Sequence, residues 1–168
     1  MNRPRLNGFL VALILFLVDQ AVKAYVTGAL GLDQIGESIT VLPIFNLKFV
    51  PNVGVSLGML AADSDAMRWG LVALTGVIAA GVAWWMLREK NRFDLIALGM
   101  VLGGALGNIL DRVRLGYVVD YADLHFGDWQ PFLVFNVADA AITIGVLILL
   151  ARALFVREKP APRESLNA

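Results

Sequence analysis

Two aspartates carry the strongest chemical signal in this sequence of 168 residues. Asp139 lies one turn inside an apolar stretch that is long enough to cross a bilayer. A charge there costs roughly 2.5 to 3.5 kcal/mol at the centre of a membrane helix, and less near its end, so an acid in this position predicts a functional site. Asp120, at the end of the run 115–120, is the partner that we expect for it. Taken alone, Asp120 has the surroundings of an exposed loop acid.

A pair of neighbouring acids has a defined chemistry. Two carboxylates a few ångströms apart cannot easily both ionise, so they share a proton. One acid then acts as a base on water, while the protonated acid polarises a carbonyl and later protonates the leaving nitrogen. This is aspartyl peptide hydrolysis. Acids within a membrane span are also compatible with an ion or proton path, and two acids alone do not decide between these functions.

The composition predicts an integral membrane protein. Hydrophobic residues make up 58% of the chain and charged residues 17%, against roughly 25% charged residues in soluble domains. The net charge of zero gives no electrostatic case for binding nucleic acid. The sequence has no cysteine, which excludes disulfides and a cysteine nucleophile. His125 is the one histidine of the chain, so we expect no metal and no other cofactor.

Four long apolar runs predict four transmembrane helices. Each is long enough to cross a bilayer, and they fall at about 8–26, 69–87, 93–110 and 135–156. The first run, with Arg3 and Arg5 before it, could instead be a cleaved signal peptide. Its helical pattern continues to Val26, which favours a span. We therefore expect a single integral membrane domain over 1–168.

Two stretches between the runs differ in composition. The segment at about 28–66 contains short alternating runs, Ser38–Leu42 and 45–50, which predict strands of a small sheet outside the bilayer core. The segment at about 111–134 is polar and aromatic, which predicts an interfacial position. The expected fold class is therefore a membrane α-helical protein with four transmembrane helices, a small extramembrane β-sheet and an interfacial segment.

The positive-inside rule orients the chain. Lysine and arginine gather before the first run, after the second run and in the tail at 157–168. Both termini are therefore expected in the cytoplasm, and the segments at 28–66 and 111–134 on the opposite side. Span counting alone then brings seven polar residues to one leaflet: Asp19, Asn108, Asp111, Arg112, Asp120, Asn136 and Asp139.

Several further residues have structural roles in this interpretation. Asp19 and Lys23 are four apart, in the order that favours an ion pair, and Lys23 can snorkel to the interface. Asp111 and Arg112 are expected to pair and fix a helix end. A stripe of glycines at intervals of four predicts close helix packing, and it consists of Gly99, Gly103 and Gly107. Four acids are expected to be solvated in loops, namely Asp63, Asp65, Asp123 and Asp128.

The chain also resembles a known family, the lipoprotein signal peptidases or signal peptidase II. Five segments carry the resemblance: Asp19-Gln20-x-x-Lys23, Asn52-x-Gly54, Gly103-Gly104-Ala105-x-Gly107-Asn108-x-x-Asp111-Arg112, Val118-Val119-Asp120-Tyr121 and Phe135-Asn136-x-Ala138-Asp139. The resemblance implies that Asp120 and Asp139 form a catalytic dyad. It further implies that six other residues lie around the active site, namely Asn52, Gly54, Asn108, Arg112, Asn136 and Ala138.

The resemblance implies an aspartic endopeptidase of the bacterial inner membrane. Its substrate would be a prolipoprotein whose cysteine carries diacylglyceryl, cut on the amino side of that cysteine at the periplasmic side of the membrane. The expected partners are this substrate and membrane lipids, and we expect a monomer. The segment at 28–66 would close over the site as a sheet and exclude water. Two alternatives remain open: a small proton-coupled transporter or channel with Asp19 and Asp139 as its relay, and a non-catalytic assembly factor.

Overall fold

The structure, a computed structural model, describes residues 3–54, 65–127 and 129–155. Four long α-helices and a three-stranded sheet form this part of the chain. The helices are α1 (Arg3–Ala24), α2 (Asp65–Arg88), α3 (Arg92–Leu115) and α4 (Val137–Phe155), and a π-helical turn (Tyr25–Ala29) continues α1. The strands are β1 (Ser38–Leu42), β2 (Phe45–Asn52) and β3 (Val118–Leu124).

All four helices are long and apolar enough to cross a membrane, which confirms the expected fold class. Much of their apolar surface faces outward, as in a bundle surrounded by lipid rather than water. The tail at 157–168 and the stretch at 55–64 lie outside the described residues.

Helix α3 is the centre of the bundle, because α1, α2 and α4 all pack against it. Its N-cap is Asn91, whose side chain accepts a hydrogen bond from the Phe93 N–H at 2.9 Å. Its C-cap is Gly116, which has a φ of 91° and donates its N–H to the Arg112 carbonyl. The helix therefore extends past residue 110, and Asp111 and Arg112 lie in its last turns rather than in the segment that follows.

The glycine stripe of α3 lets α1 approach closely, as the spacing predicted. A Cβ added to Gly103 would overlap the Ala12 carbonyl, and one added to Gly107 would overlap the Asp19 carboxylate. On the neighbouring face, Gly104 lies against α4. Polar side chains of α1 and the first turn of α4 are therefore both brought next to the end of α3.

The sheet joins the two segments that the sequence analysis treated separately. Its order is β1-β2-β3, with both pairs antiparallel. The strands predicted at 38–42 and 45–50 are confirmed as β1 and β2. β3 was not predicted, and it places Asp120 opposite Val50 in the ladder. Asp120 is 2% exposed, so the expectation of an exposed loop acid was wrong.

An apolar cluster attaches the sheet to the end of α1. Its buried members are Val26, Leu32, Phe49, Val119, Tyr121 and Ala122. Asp123 is also buried, at 1% exposure, because Lys48 of the neighbouring strand lies 2.5 Å from its carboxylate. The expectation of a solvated loop acid was therefore wrong for Asp123. Asp65 is exposed as expected, but it lies in the first turn of α2 rather than in a loop. Asp63 and Asp128 lie outside the described residues.

Candidate active site

Asn136 connects the two acids that the sequence singled out. Its side-chain Nδ2 donates to Asp120 Oδ1 at 2.6 Å. Its backbone N–H donates to Asp139 Oδ2 at 3.3 Å, and its own Oδ1 accepts from the Asp139 N–H at 2.8 Å. The last two contacts form a reciprocal capping box at the start of α4. The residue that begins the last membrane helix therefore also holds the two carboxylates at one site.

The second oxygen of Asp120 is bound by Asn52 from the end of β2. Asn52 Nδ2 donates to Asp120 Oδ2 at 2.9 Å. Asn52 Oδ1 accepts the Gly54 N–H at 2.9 Å, which fixes the orientation of the amide. Gly54 has a φ of 101°, a conformation that favours glycine at this turn. A turn therefore begins after Asn52, at the end of β2.

The second oxygen of Asp139 is bound by Asn108 from the adjoining face of α3. Asn108 Nδ2 donates to Asp139 Oδ1 at 2.8 Å. Asn108 Oδ1 accepts from Lys23 Nζ of α1 at 3.1 Å. Each carboxylate therefore has hydrogen-bond donors on both of its oxygens, and this network draws on three helices and two strands.

Lys23 is buried within this network rather than extended to the interface. It is 4% exposed, and its Nζ lies 2.8 Å from Asp19 and 2.7 Å from Asp111. The predicted pair of Asp19 and Lys23 is confirmed, and the snorkelling position was wrong. The Asp111 carboxylate pairs with Lys23, not with Arg112 as expected. The glycine stripe of α3 explains why Asp111 pairs with Lys23, because it brings the Asp111 carboxylate within reach of α1.

Two further hydrogen bonds belong to this network. Asp19 Oδ1 accepts the backbone N–H of Ala138 at 2.9 Å, which attaches α1 to the first turn of α4. Gln20 Nε2 donates to Asp111 Oδ1 at 3.0 Å. No role was predicted for Gln20 from the sequence, although it lies between Asp19 and Lys23 in the motif Asp19-Gln20-x-x-Lys23.

Arg112 supplies the second cation of the site. Its guanidinium interacts electrostatically with Asp139, Asp120 and Asp111. Its Nε is buried and has no hydrogen-bond partner among the described residues. The Arg112 carbonyl accepts a bond from Arg68 Nε at 2.6 Å, which fixes the end of α3 against α2. The guanidinium is thus held next to the two acids with a donor still available.

The environment of Asp120 favours a bound proton. Burial raises the pKa of the Asp120 carboxyl to about 6, and the hydrogen bond from Asn52 opposes this shift. The charge of Asp139 raises the pKa further, as expected for two neighbouring acids. Such a pair readily retains one proton between its two carboxyl groups.

Two cavities adjoin the acids. One, of about 470 Å³, is lined by Asp139 and by apolar side chains that include Phe132 and Ile144. The other, of about 260 Å³, is lined by Asp120 and Asn52. Leu133 lines both cavities. Within the described ranges, no group of His, Asp and Glu side chains has the arrangement of a metal site.

The fold and this site define a multi-pass helical membrane protein with a paired-carboxylate site at one end of its bundle. A family model described as "Signal peptidase (SPase) II" matches residues 11–155. The chain belongs to the signal peptidase II family.

The relatives are similar over nearly their whole length. A lipoprotein signal peptidase of Rhizorhabdus wittichii is 57% identical over 168 residues, which are 100% of this chain and 96% of that protein. A lipoprotein signal peptidase of Sphingopyxis alaskensis is 57% identical over 90% of this chain and 87% of that protein. A solved bacterial membrane enzyme superposes with a TM-score of 0.78 at 28% identity, covering 90% of this chain and 94% of the other. The chain is thus a multi-pass bacterial membrane protein.

Proposed function

We propose that this protein removes the signal peptide from prolipoproteins by an aspartic mechanism, with Asp120 and Asp139 as the catalytic pair. The single observation that carries the proposal is the bridge through Asn136, which donates to both carboxylates. Family membership supports the peptidase activity, and the names of the relatives support a lipoprotein substrate.

The two acids have different roles in the proposed reaction. Asp120 carries the proton, since burial raises its pKa to about 6. Asp139 is the base in this proposal, because Asp120 holds the proton and because the Arg112 guanidinium interacts more strongly with Asp139 than with Asp120.

Hydrolysis then follows in two steps. Asp139 takes a proton from water as the water oxygen attacks the scissile carbonyl, and Asp120 gives its proton to the carbonyl oxygen. In the collapse of the tetrahedral intermediate, Asp139 rather than Asp120 protonates the leaving nitrogen as the C–N bond breaks, because Asp120 has already given its proton to the carbonyl oxygen. Asp120 recovers a proton from the intermediate's hydroxyl group, which restores the starting state. Arg112 and Asn52 lie beside the two acids, and in this proposal they bind the substrate backbone.

The surroundings of the dyad suit a substrate that is anchored in the bilayer. The cavity of about 470 Å³ next to Asp139 is lined largely by apolar side chains of α4 and of the segment before it. Such a lining would accept an acyl chain or an apolar side chain. A diacylglyceryl group on the substrate cysteine would keep the scissile bond at the depth of the acids, near the start of α4. The lipid anchor would also confine enzyme and substrate to the same membrane.

The proposed orientation puts the dyad on the periplasmic side of the inner membrane. Basic residues follow α2 and lie at the start of α1, at the opposite end of the bundle from the acids. The β-sheet then covers the site from the periplasm.

The transporter alternative has no support. Family membership favours a peptidase, and a relay through the bundle would need polar groups along α2. The hydroxyl of Thr75 in α2 donates to the Leu71 carbonyl of its own helix at 2.7 Å. It is therefore already used within that helix.

The test is cleavage of a diacylglyceryl-modified prolipoprotein by the purified full-length protein in lipid bilayers. Asp120→Asn and Asp139→Asn are each expected to lower the rate by about a thousandfold or more, because each removes a proton-transfer group. Asp123→Asn is the matched control, since Asp123 is equally buried in the same strand but lies outside the site. Robust turnover by either dyad variant would contradict the proposal. Inhibition of the native protein by a metal chelator would also contradict it.

A further inference from the structure

The buried ammonium of Lys23 has a geometry that an ion pair alone does not require. Its three contacts are Asp19 Oδ2, Asp111 Oδ2 and Asn108 Oδ1, at 2.8, 2.7 and 3.1 Å. A lysine ammonium has three N–H donors and no acceptor. Each donor therefore has a partner, and one of the three partners is an uncharged amide that reaches the active site.

That contact determines which way the Asn108 amide faces. With Oδ1 directed at Lys23, the Nδ2 of Asn108 donates to Asp139 Oδ1 at 2.8 Å. The flipped amide would place its N–H₂ group against the ammonium and its oxygen against the carboxylate. Both contacts would then be repulsive, so the charge of Lys23 selects one orientation.

The same oxygen also orients the second amide of the site. Asn136 Nδ2 lies 3.3 Å from Asn108 Oδ1 and 2.6 Å from Asp120 Oδ1. The other end of this amide, Oδ1, accepts the Asp139 N–H. Lys23 thus orients the Asn108 amide, and the Asn108 amide in turn orients the Asn136 amide. Each of these two amides donates to one of the two acids.

We propose that Lys23 is the positioning residue of the dyad: its ammonium orients the Asn108 and Asn136 amides so that each presents N–H groups to a catalytic carboxylate. The inference rests on the proposed function of Asp120 and Asp139. Its physical consequence is that only donors face the carboxylate oxygens. These hydrogen bonds hold each carboxylate in one fixed orientation relative to the other.

A purely structural role for Lys23 makes different predictions. As a structural residue, Lys23 would neutralise Asp19 and Asp111 and hold α1 against α3, and its loss would act on folding or on the whole site. As a positioning residue, it acts through Asn108, and its loss should have no further effect once the Asn108 amide is gone. A double-mutant cycle separates these two cases.

The cycle uses Lys23→Met, Asn108→Ala and the double variant, each as full-length protein in bilayers with the diacylglyceryl-modified substrate. We expect Lys23→Met to lower kcat about 10- to 100-fold with KM within about twofold, as for loss of a hydrogen bond made to a charged group in the transition state. The double variant should have the kcat of Asn108→Ala within about threefold. If the fold-loss of kcat in the double variant equals the product of the fold-losses in Lys23→Met and Asn108→Ala, the inference is overturned.

Two further variants control for folding. Lys48→Met removes another lysine that pairs with a buried aspartate, Asp123, and it should keep kcat within about threefold of the native protein. Lys23→Met leaves the buried carboxylates of Asp19 and Asp111 without their cation, which could destabilise the protein. A second variant therefore combines Lys23→Met with Asp19→Asn, so that only Asp111 is left as an unpaired charge. The amide introduced at position 19 still offers an oxygen to the Ala138 N–H. Native kcat in this variant, once it is shown to be folded, would overturn the inference.

Failure of this inference and failure of the proposed function give different results. If Asp120→Asn or Asp139→Asn still cleaves the substrate, the dyad itself is wrong. If both are inactive and the losses for Lys23→Met and Asn108→Ala multiply, the dyad stands and Lys23 is structural. If both are inactive and the losses do not multiply, the positioning role is supported.

Discussion

The Asn136 amide nitrogen lies 2.6 Å from the Asp120 carboxylate, and this contact joins the membrane bundle to the extramembrane sheet. Asn136 caps α4, whereas Asp120 belongs to β3, whose position depends on pairing with β2. The geometry of the proposed dyad therefore depends on the sheet being docked on the helices. Neither element positions both acids by itself.

Replacing Asn136 by alanine should affect both activity and stability. The variant loses the helix cap and the donor to Asp120, so we expect kcat to fall about a hundredfold and the unfolding free energy to fall by about 1 kcal/mol. Asn91→Ala is the matched control, because Asn91 caps α3 at the opposite end of the bundle. It should cost similar stability, measured by thermal unfolding in bilayers, and leave kcat unchanged. Equal losses of kcat in the two variants would contradict the bridging role.

The pH dependence should report the proton on Asp120. Burial raises the pKa of this carboxyl to about 6, and the proposed reaction needs the proton. We expect kcat/KM of the native protein to fall as the pH rises through about 6, since kcat/KM reports the free enzyme.

Asn52 tests the cause of that pH dependence. Its hydrogen bond stabilises the ionised form of Asp120 and so lowers the pKa of the carboxyl. Asn52→Leu should therefore raise this pKa, and the alkaline fall of kcat/KM should move to higher pH. A profile recorded for both proteins over the same pH range measures the displacement. A fall that moves to lower pH would show that Asp120 is not the group that titrates.

The glycine stripe predicts where added bulk is harmful. A Cβ at Gly107 would overlap the Asp19 carboxylate, so Gly107→Ala should displace α1 and lower both kcat and the thermal unfolding midpoint. Gly81→Ala in α2 is the matched control, since a Cβ there meets nothing within 4 Å. It should be neutral or stabilise the helix by up to about 1 kcal/mol, the helix preference of alanine over glycine. If the two variants behave alike, the close approach of α1 and α3 is not needed.

Local patterns were sufficient to predict the helical part of the fold. Long apolar runs have few outcomes in a bilayer, because every backbone polar group must be satisfied within the segment. The intervals between Gly99, Gly103 and Gly107 then indicated the close helix contact, and the spacing of Asp19 and Lys23 indicated their ion pair. The alternation at 38–42 and 45–50 gave the first two strands.

The errors concern contacts between distant parts of the chain. β3 pairs with a strand from another segment, and such pairing leaves no local periodicity that would show Asp120 and Asp123 to be buried. Lys23 was expected to reach the interface because it lies near the end of the first span. The Asp111 carboxylate from α3 joins Asp19 as a second acid partner, and the two acids keep the ammonium in the interior. Asp111 had been expected to pair with Arg112 instead.

The most direct test of the central claim is a single-turnover cleavage measurement on three variants, namely Asp120→Asn, Asp139→Asn and the double variant. Two groups that share one proton act as a unit, so we predict that each single variant already has the residual rate of the double variant. If the two acids act independently, the fold-loss of rate in the double variant should equal the product of the fold-losses in the two single variants. That result would contradict a dyad at this site.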